Sequence, residues 1–344
     1  MLKLLVLLTK SLPPSSRLRM TACFDEFHKR GIETTGIPIP SNFLGRIGLL
    51  RLATNHDVVI IQKKTSFHLF ELSLLKRANN NIIFDMDDAV MFHELEHHKP
   101  LSGKNFIKFI RTVNHCRAVV AGNTSLAKYA EANCNIVKVL PTPVDLARYC
   151  TKDYSQATDA ITIGWIGVAG SLHFLRQLAP TLQELATEFP QLQLKIICND
   201  FIDIPGVPTI KQIWTLENET EQLRSFDIGI MPLADSLWAR GKCGYKILQY
   251  FGAGVPAVAS PVGINIEFIR HLQTGMLAST PNEWKEALRA LIIDTNLRKS
   301  IGLAGRHELE SKYALTNYAT GYAQLIHDMC DRDTLQSNQK KAAP

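Results

Sequence analysis

The chain has 344 residues, of which 46% are hydrophobic and 20% are charged, and its formal net charge is +6. This length exceeds one ordinary core and predicts two domains of roughly 150 residues each. No apolar run is long enough to span a bilayer, and the apolar residues 2–8 lack a signal-peptide cleavage site, so we interpret them as a buried strand. The seven cysteines are scattered without a C-x-x-C pair, which indicates reduced thiols in a cytoplasm.

The charge is distributed unevenly. Residues 1–154 carry a net charge of +8, whereas residues 155–344 carry −2. A basic first half is typical of contact with an anionic partner, such as the inner face of a membrane or a phosphorylated acceptor. A solvated basic face explains the charge equally well. The basic residues are dispersed and not interleaved with aromatic residues, which argues against nucleic acid as a partner.

Short β-branched runs alternate with amphipathic stretches, a pattern typical of parallel sheets flanked by helices. A polar, Pro-containing stretch over residues 141–160 separates two such series. The sequence therefore predicts two α/β domains, residues 1–154 and 155–313, followed by a helix and a disordered polar tail within 314–344. The predicted strands are residues 2–8, 57–62, 81–85, 118–122, 136–140, 161–167, 192–198, 226–233 and 255–261, and two predicted helices are 67–78 and 125–133.

Residues 93–97 spell the H-E-x-x-H pattern, in which two histidines bind zinc and a glutamate acts as a general base. Pro100 limits any helix here to about two turns, and the surrounding residues are nearly all polar. No third ligand follows at the metzincin spacing. A zinc hydrolase that uses His93, Glu94 and His97 stays an alternative, and an exposed segment beside an acceptor site is the preferred interpretation.

The most informative stretch is residues 238–265, WARGKCGYKILQYFGAGVPAVASPVGIN. Gly244 and Lys246 lie at the predicted start of a helix, where glycine allows close backbone approach and the helix terminus and lysine favour phosphate oxygens. Lys242 and Lys246 would share one face of this helix if it begins before Lys242. Gly254 is predicted to cap its carboxyl end.

Four further segments accompany this stretch: residues 13–20 (PPSSRLRM), 140–145 (LPTPVD), 163–171 (IGWIGVAGS) and 226–233 (FDIGIMPL). In their order and spacing, the five segments resemble family-4-type retaining glycosyltransferases of the GT-B fold, the glycosyl transferases group 1. The resemblance implies two Rossmann-like domains whose parallel sheets face each other across a cleft. It also implies transfer of a sugar from a nucleotide-diphosphate-sugar to an acceptor hydroxyl with retention of configuration, without an obligatory metal or other cofactor. A cell-surface or lipid-linked glycan is the expected acceptor.

The resemblance assigns donor binding to the second domain, with one departure. Many such enzymes carry two glutamates eight residues apart that hold the donor sugar and the ribose, and here Gly241 and Gln249 occupy those positions. Gln249 can hydrogen-bond a ribose hydroxyl but Gly241 offers no carboxylate, so a non-catalytic nucleotide-sugar-binding partner protein is a second alternative. Trp214 is expected to stack on the base, although a lone tryptophan more often packs in a core. The expected donor-binding residues are Gly167, Trp214, Lys242, Gly244, Lys246, Gln249, Gly263 and Glu267.

Three aspartates follow the predicted strand 81–85, and we expect them to act on the acceptor side. Asp85 and Asp87 share one face of an extended chain and Asp88 lies on the other. Such carboxylates can stabilise an oxocarbenium-like centre or orient an acceptor hydroxyl. Two other interpretations are a D-x-D metal site and caps for a helix that starts near Ala89.

The polar residues after the first strand are predicted to form a basic loop. Ser16, Arg17 and Arg19 would contact the donor phosphate or the acceptor. The alternative is a surface turn with two solvated arginines.

Overall fold

A computed structural model describes residues 1–9, 14–92, 103–155 and 159–341, without the side chains of residues 332–341. The chain forms two compact units that alternate along the sequence. Unit 1 comprises residues 1–143, 236–243 and 315–344, and unit 2 comprises residues 144–235 and 244–314. Within the described ranges, no helix is both long and apolar enough to cross a membrane.

Unit 1 is built on a parallel sheet of six strands. These are β1 (Leu2–Leu8), β2 (Ile32–Pro38), β3 (Val58–Gln62), β4 (Ile82–Met86), β5 (Ala118–Ala121) and β6 (Val137–Val139). Their order in the sheet is β2-β1-β3-β4-β5-β6. Strands β3, β4 and β5 are buried along their whole length. Because both faces of the sheet are covered, the sequences of these strands are continuous apolar runs, without alternating polar and apolar residues.

Helices cover both faces of this sheet. The first six are α1 (Pro14–Arg19), α2 (Phe24–Lys29), α3 (Phe43–Thr54), α4 (Leu69–Ala78), α5 (Lys104–His115) and α6 (Thr124–Glu131). Helices α3 to α6 pack on one face, through side chains such as Leu49, Leu72 and Phe109. The other face is covered by α2 and by the C-terminal helix, through side chains such as Phe27 and Tyr322.

Unit 2 is built on a second six-stranded parallel sheet. Its strands are β7 (Ile161–Ile166), β8 (Leu192–Cys198), β9 (Thr209–Ile213), β10 (Ile228–Met231), β11 (Ala257–Ala259) and β12 (Met276–Leu277). Their order is β12-β11-β10-β7-β8-β9. From β7 the chain adds β8 and β9 on one side of the sheet, and then β10, β11 and β12 on the other side. The carboxyl ends of β7 and β10 are therefore adjacent at the point where the strand order reverses. In open parallel sheets this point is where ligands bind.

The helices of the second half of the chain are α7 (Leu172–Gln177), α8 (Ala179–Glu188), α9 (Glu219–Arg224), α10 (Leu237–Arg240), α11 (Tyr245–Gly252), α12 (Asn265–Phe268), α13 (Pro281–Ile293), α14 (Thr295–Glu308) and α15 (Leu315–Lys341). Helices α10 and α15 belong to unit 1, and the others to unit 2. On one face of the unit 2 sheet, α7, α8 and α13 enclose a core around Trp165 and Leu288. On the other face, α11 and α12 enclose a core around Tyr250 and Phe268.

The nine predicted strands are all confirmed, each within two residues at its ends. Strands β2, β9 and β12 were not predicted. The segment after β1 was predicted to be a loop, and this is wrong because Pro14–Arg19 form helix α1. The last helix continues to Lys341, through most of the tail that was predicted to be disordered.

Candidate functional site

In unit 2, helix α11 begins at the carboxyl edge of the sheet with a glycine that no other residue could replace without strain. Gly244, its N-cap, has a φ of 62°, in the left-handed region. A Cβ on Gly244 would lie 2.6 Å from Ile264 and 2.9 Å from Phe268, both side chains of the α12 region. Glycine is therefore required here both for its backbone angles and for space, and it fixes where α11 starts.

Lys246 lies in the first turn of α11 and extends over the end of β7. Its Nζ is 5.4 Å from the centre of the Trp165 ring. A Cβ on Gly167 would lie 2.9 Å from Lys246 Cε and 2.5 Å from Trp165. The absence of a side chain at Gly167 thus leaves room for the lysine beside the backbone that follows β7. The positive end of the α11 dipole and the ammonium group lie at one edge of the sheet, which favours an anion there.

The loops after β10 and β11 are tied together at the same edge. Ser260 Oγ accepts a hydrogen bond of 2.9 Å from Leu233 N, and Asn265 Nδ2 donates to Ser260 O at 2.9 Å. Asn265 Oδ1 is buried without a hydrogen-bond partner among the described residues. Gly263 has a φ of 56°, which makes the turn before α12. Glu267 is exposed on α12.

Two further predicted donor residues, Trp214 and Gln249, are half-buried and buried within unit 2. Trp214 follows β9 and is half-buried, and its Nε1 donates a hydrogen bond of 2.8 Å to Glu219 Oε2. Glu219 is buried and also accepts from the Tyr149 hydroxyl at 3.1 Å. Gln249 lies one turn after Tyr245 on α11 and is 5% exposed. The Trp214 indole is therefore fixed in orientation, partly within the core of unit 2.

The condition under which Lys242 and Lys246 would share a helix face is not met. Helix α11 begins at Tyr245, after Lys242, and Lys242 belongs to unit 1. There the Lys242 Nζ lies 3.7 Å from the centre of the Trp238 ring. Asn123, the N-cap of α6, donates hydrogen bonds to the carbonyl oxygens of Arg240 at 3.3 Å and of Lys242 at 2.9 Å. These bonds hold residues 236–243 on unit 1.

Gly241 has a packing role that explains the missing carboxylate. A Cβ on Gly241 would lie 2.5 Å from the Cβ of Ala89 and 3.0 Å from its backbone nitrogen. Real Cβ atoms essentially never come within 2.5 Å of another heavy atom. The 3.0 Å contact is also tight, and it is to backbone, which cannot rotate away. A glutamate therefore does not fit at position 241 in this packing.

We expect Gly241→Ala to destabilise the protein by about 1–3 kcal/mol, because the added methyl group overpacks the contact with Ala89. Urea denaturation measures this difference. Gly241→Ala/Ala89→Gly should recover part of the loss, and Gly48→Ala, where the new Cβ meets open space on α3, serves as the control. Equal stability of Gly241→Ala and the wild type would contradict the packing argument.

In unit 1, the first predicted acceptor residue is part of a buried ion pair. Arg19 and Asp85 are both fully buried and make two hydrogen bonds, Nε to Oδ1 at 2.9 Å and Nη2 to Oδ2 at 2.7 Å. The Tyr322 hydroxyl of α15 donates to Asp85 Oδ2 at 3.0 Å, and Arg19 also donates to Leu140 O at 2.9 Å. The surface-turn alternative is therefore wrong for Arg19, which joins α1, β4 and α15.

Ser16 and Arg17 lie in the same short helix and differ in their surroundings. Ser16 is buried and donates a hydrogen bond of 2.6 Å to Gln62 Oε1, and its hydroxyl is 2.8 Å from that of Thr9. Gln62 Nε2, at the end of β3, is buried without a hydrogen-bond partner among the described residues. Arg17 is half-buried. Ser16 therefore belongs to a polar cluster at the carboxyl ends of β1 and β3.

Asp87 and Asp88 follow β4 and face Lys63. Asp87 is buried, whereas the Asp88 side chain is 42% exposed. Lys63 Nζ pairs with Asp88 and lies 3.2 Å from Asp87 Oδ1, without the alignment of a hydrogen bond. Lys63 has a φ of 59°, so a residue other than glycine occupies the left-handed region at the end of β3. The strained backbone and the two carboxylates fix this ammonium group at the edge of the sheet.

Burial raises the pKa of Asp87 to about 6, partly offset by Lys63 and reinforced by Asp88. Burial opposes the charge on Lys63, but Asp87 and Asp88 outweigh it and raise the pKa of that lysine. Near neutral pH Asp87 is therefore mostly ionised but close to its midpoint. A carboxylate in this range can exchange a proton with a substrate hydroxyl.

Asp87 should make the stability of the protein depend on pH. Its pKa is raised on folding from 3.8 to about 6, so the folded chain binds more protons than the unfolded chain between about pH 4 and pH 6. The stability that this extra bound proton on Asp87 contributes is present below this window, and it is lost as the pH rises through about 6. Relative to the wild type, Asp87→Asn should gain on the order of 2–3 kcal/mol between about pH 4 and pH 7, measured by urea denaturation at each pH. A stability difference that does not change with pH would refute this.

The H-E-x-x-H segment, residues 93–97, lies outside the described residues. Among the residues that are described, no three His, Cys, Asp or Glu side chains are grouped so that they could hold a metal ion.

Comparison with known proteins agrees with the architecture. Residues 167–294 match the family model of Glycosyl transferases group 1. Alpha-1,3/1,6-mannosyltransferase ALG2 of Rhizomucor pusillus is 35% identical over 139 residues, which are 40% of this chain and 30% of that protein. The match thus spans less than a third of the length of that relative.

Two solved structures match over nearly the whole chain. Anabaena Alr3699/HepE in complex with UDP-glucose has a TM-score of 0.71 at 13% identity, covering 95% of this chain and 100% of that one. Sucrose-phosphate synthase of Thermosynechococcus elongatus has a TM-score of 0.68 at 10% identity, covering 96% and 99%.

The chain therefore has the two-domain α/β fold of the GT-B glycosyltransferases. Within it, residues 167–294 carry the sequence pattern of Glycosyl transferases group 1. This matched segment contains Gly167, Gly244, Lys246 and the loop with Ser260.

Proposed function

We propose that this protein is a glycosyltransferase that moves a hexose from a nucleotide-diphosphate-sugar to an acceptor hydroxyl, with retention of configuration. The observation that carries the proposal is a coincidence of two independent findings. The segment that matches Glycosyl transferases group 1, residues 167–294, contains the sheet edge where Gly244, Gly167 and Lys246 create a place for an anion. The relative named a mannosyltransferase and the neighbour bound to UDP-glucose support a hexose donor.

The donor diphosphate would bind at the amino end of α11. As the sugar departs, negative charge grows on the diphosphate oxygens, and groups already oriented towards them lower the barrier without reorganisation. Lys246 and the first-turn amides of α11 supply that positive potential. Gln249 would hold the ribose and Trp214 would border the base. Stabilisation of the leaving group by protein groups requires no obligatory metal.

The acceptor would bind at the carboxyl edge of the unit 1 sheet. Asp87 and Asp88 would orient its hydroxyl, with Lys63 holding both carboxylates in place. Asp85 would act indirectly, because both of its oxygens already accept hydrogen bonds from Arg19 and Tyr322. We accordingly assign Asp87 and Asp88 to the acceptor and treat Asp85 as a positioning residue.

A thermal-shift panel of UDP, GDP, ADP and CMP in EDTA tests the donor site. We expect one nucleoside diphosphate to stabilise the protein by about 2.7 kcal/mol at a hundredfold excess over its dissociation constant. The matching nucleotide-sugars are then assayed for transfer and hydrolysis. No shift with any nucleotide would refute the proposal, and a shift with zinc alone that His93→Ala abolishes would instead favour the hydrolase alternative.

One observation favours a second candidate, a nucleotide-sugar-binding partner of another transferase. The Gly241–Ala89 contact leaves no space for the carboxylate that many related enzymes place there. The same panel separates the two candidates. Nucleotide-sugar binding without release of labelled sugar to water or to any acceptor would identify the binding protein.

A further inference from the structure

Helix α3 exposes apolar side chains that a helix lying on a sheet normally buries. Of its twelve residues only Leu49 and Ala53 are buried. Phe43, Leu44 and Ile47, in its first two turns, are 56%, 78% and 42% exposed. Exposing a contiguous aromatic and aliphatic surface to water costs free energy, so such a surface indicates a binding partner that covers it.

The first turn of α4 continues this surface. Leu69 and Phe70 are 51% and 61% exposed. Arg46 of α3 donates a hydrogen bond of 2.8 Å to Glu71 Oε2 of α4, which joins the first turns of the two helices. Between them lies a small apolar groove, and Phe43 is among the residues that line it. We name the five exposed side chains Phe43, Leu44, Ile47, Leu69 and Phe70 the apolar patch.

The helices that carry and flank the apolar patch are strongly basic. Helices α3, α4 and α5 contain one acidic side chain, Glu71, and it is bonded to Arg46. The other basic side chains of these helices are all exposed: Arg51, Lys76, Arg77, Lys104, Lys108 and Arg111. Arg51, Lys76 and Arg77 lie in the last turns of the two helices whose first turns carry the patch, and Lys104 begins α5. An apolar patch on helices with this positive potential is suited to an anionic surface. A second copy of the same face is a poor partner, because like charges would meet.

The position of the patch within unit 1 relates it to the acceptor site. Helix α3 starts five residues after β2 ends and α4 starts seven residues after β3 ends, so both amino ends lie at the carboxyl edge of the sheet. Asp87 and Asp88 follow β4 at this same edge, and Lys63 follows β3. A surface bound by the patch would therefore border the groups that we assign to the acceptor.

We propose that the apolar patch binds an anionic lipid bilayer, with its side chains entering the interface and the basic residues of α3 to α5 contacting lipid phosphates. Amphipathic surfaces of this kind bind by burying apolar area and by attraction to anionic headgroups. Bilayer binding by itself is independent of the transfer reaction. The consequence for the acceptor, that it is a lipid-linked saccharide presented at this surface, rests on the proposed function.

The test is co-sedimentation of the full-length protein with vesicles in the absence of substrates. Vesicles contain phosphatidylcholine alone or with roughly one third phosphatidylglycerol. We expect binding to the anionic vesicles that weakens as salt shortens the screening length. Leu44→Ser/Phe70→Ser should weaken it by about 100-fold, since each side chain loses more than 1 kcal/mol of burial. Arg51→Glu/Lys76→Glu/Arg77→Glu should weaken binding only to the anionic vesicles.

The matched control is Ile293→Ser/Lys299→Glu, which removes an equally exposed apolar side chain and a charge from unit 2. It should bind as the wild type does. Equal binding of the patch variant and the wild type, or no wild-type binding to either vesicle, would overturn the proposal. A wild-type dimer that Leu44→Ser/Phe70→Ser converts to a monomer, without vesicle binding, would overturn it in favour of a second copy. The nucleotide-induced thermal shift is measured on the same variants and reports the donor site separately.

Discussion

Substitution of Lys246 by alanine is expected to lower kcat/KM for transfer from the nucleotide-sugar by roughly 100- to 1000-fold, the usual effect of removing one preoriented electrostatic group. The Lys246 ammonium lies in the first turn of α11, beside Trp165 and the backbone of Gly167. This is where we place the diphosphate, whose charge increases as the glycosidic bond breaks. Steady-state kinetics with the donor identified by the thermal-shift panel measures the effect.

Two matched substitutions separate a local charge effect from damage to the fold. Lys246→Arg keeps the charge and should retain part of the activity. Lys211→Ala removes an exposed lysine of β9 that pairs with Asp203, and it should leave kcat/KM within about twofold, since such pairs contribute little. If Lys246→Ala folds normally and transfers sugar as fast as the wild type, the diphosphate does not bind at α11.

The sequence predicted the buried strands well because strands with both faces covered are continuous apolar runs. It failed for β2 and β9, which lie at the edges of the two sheets. Strand β9, Thr209–Ile213, has no buried residue, and β2, Ile32–Pro38, has one. An edge strand is selected by hydrogen bonding to its neighbour, and this requirement leaves little trace in composition.

The position of Gly244 and Lys246 at the start of a helix was predicted from local sequence, because a helix terminus with glycine is a local pattern. The position of Lys242 was not predictable in this way, since it depends on hydrogen bonds from Asn123, 119 residues earlier in the chain. The burial of Arg19 was missed for the same reason, because its partner Asp85 is 66 residues away. Local patterns indicate the type of chemistry, and long-range pairs decide which charges remain available.

We expect Asp85→Ala to destabilise unit 1 by roughly 3–5 kcal/mol, the largest stability effect predicted for a single substitution in this protein. Arg19 would keep its charge with no exposure to water and would lose both carboxylate hydrogen bonds. In the wild type, burial lowers the pKa of Arg19 but Asp85 and the neighbouring groups outweigh it. Without Asp85 the guanidinium still keeps its proton, because the intrinsic pKa of arginine is far above neutral pH. Urea denaturation, with hydrogen exchange of β1 and β4, measures the loss.

The double substitution Arg19→Met/Asp85→Leu distinguishes the cost of an unpaired charge from the value of the pair. Replacing both partners with apolar side chains avoids the unpaired charge, so the double variant should be more stable than Asp85→Ala although it has lost the ion pair. The exposed pair Arg289–Glu188 is the control, and Glu188→Ala should cost at most about 1 kcal/mol. If Asp85→Ala is no more costly than Glu188→Ala, then Arg19 finds water or another partner. In that case its cluster is open to solvent, and Asp85 could contact an acceptor directly.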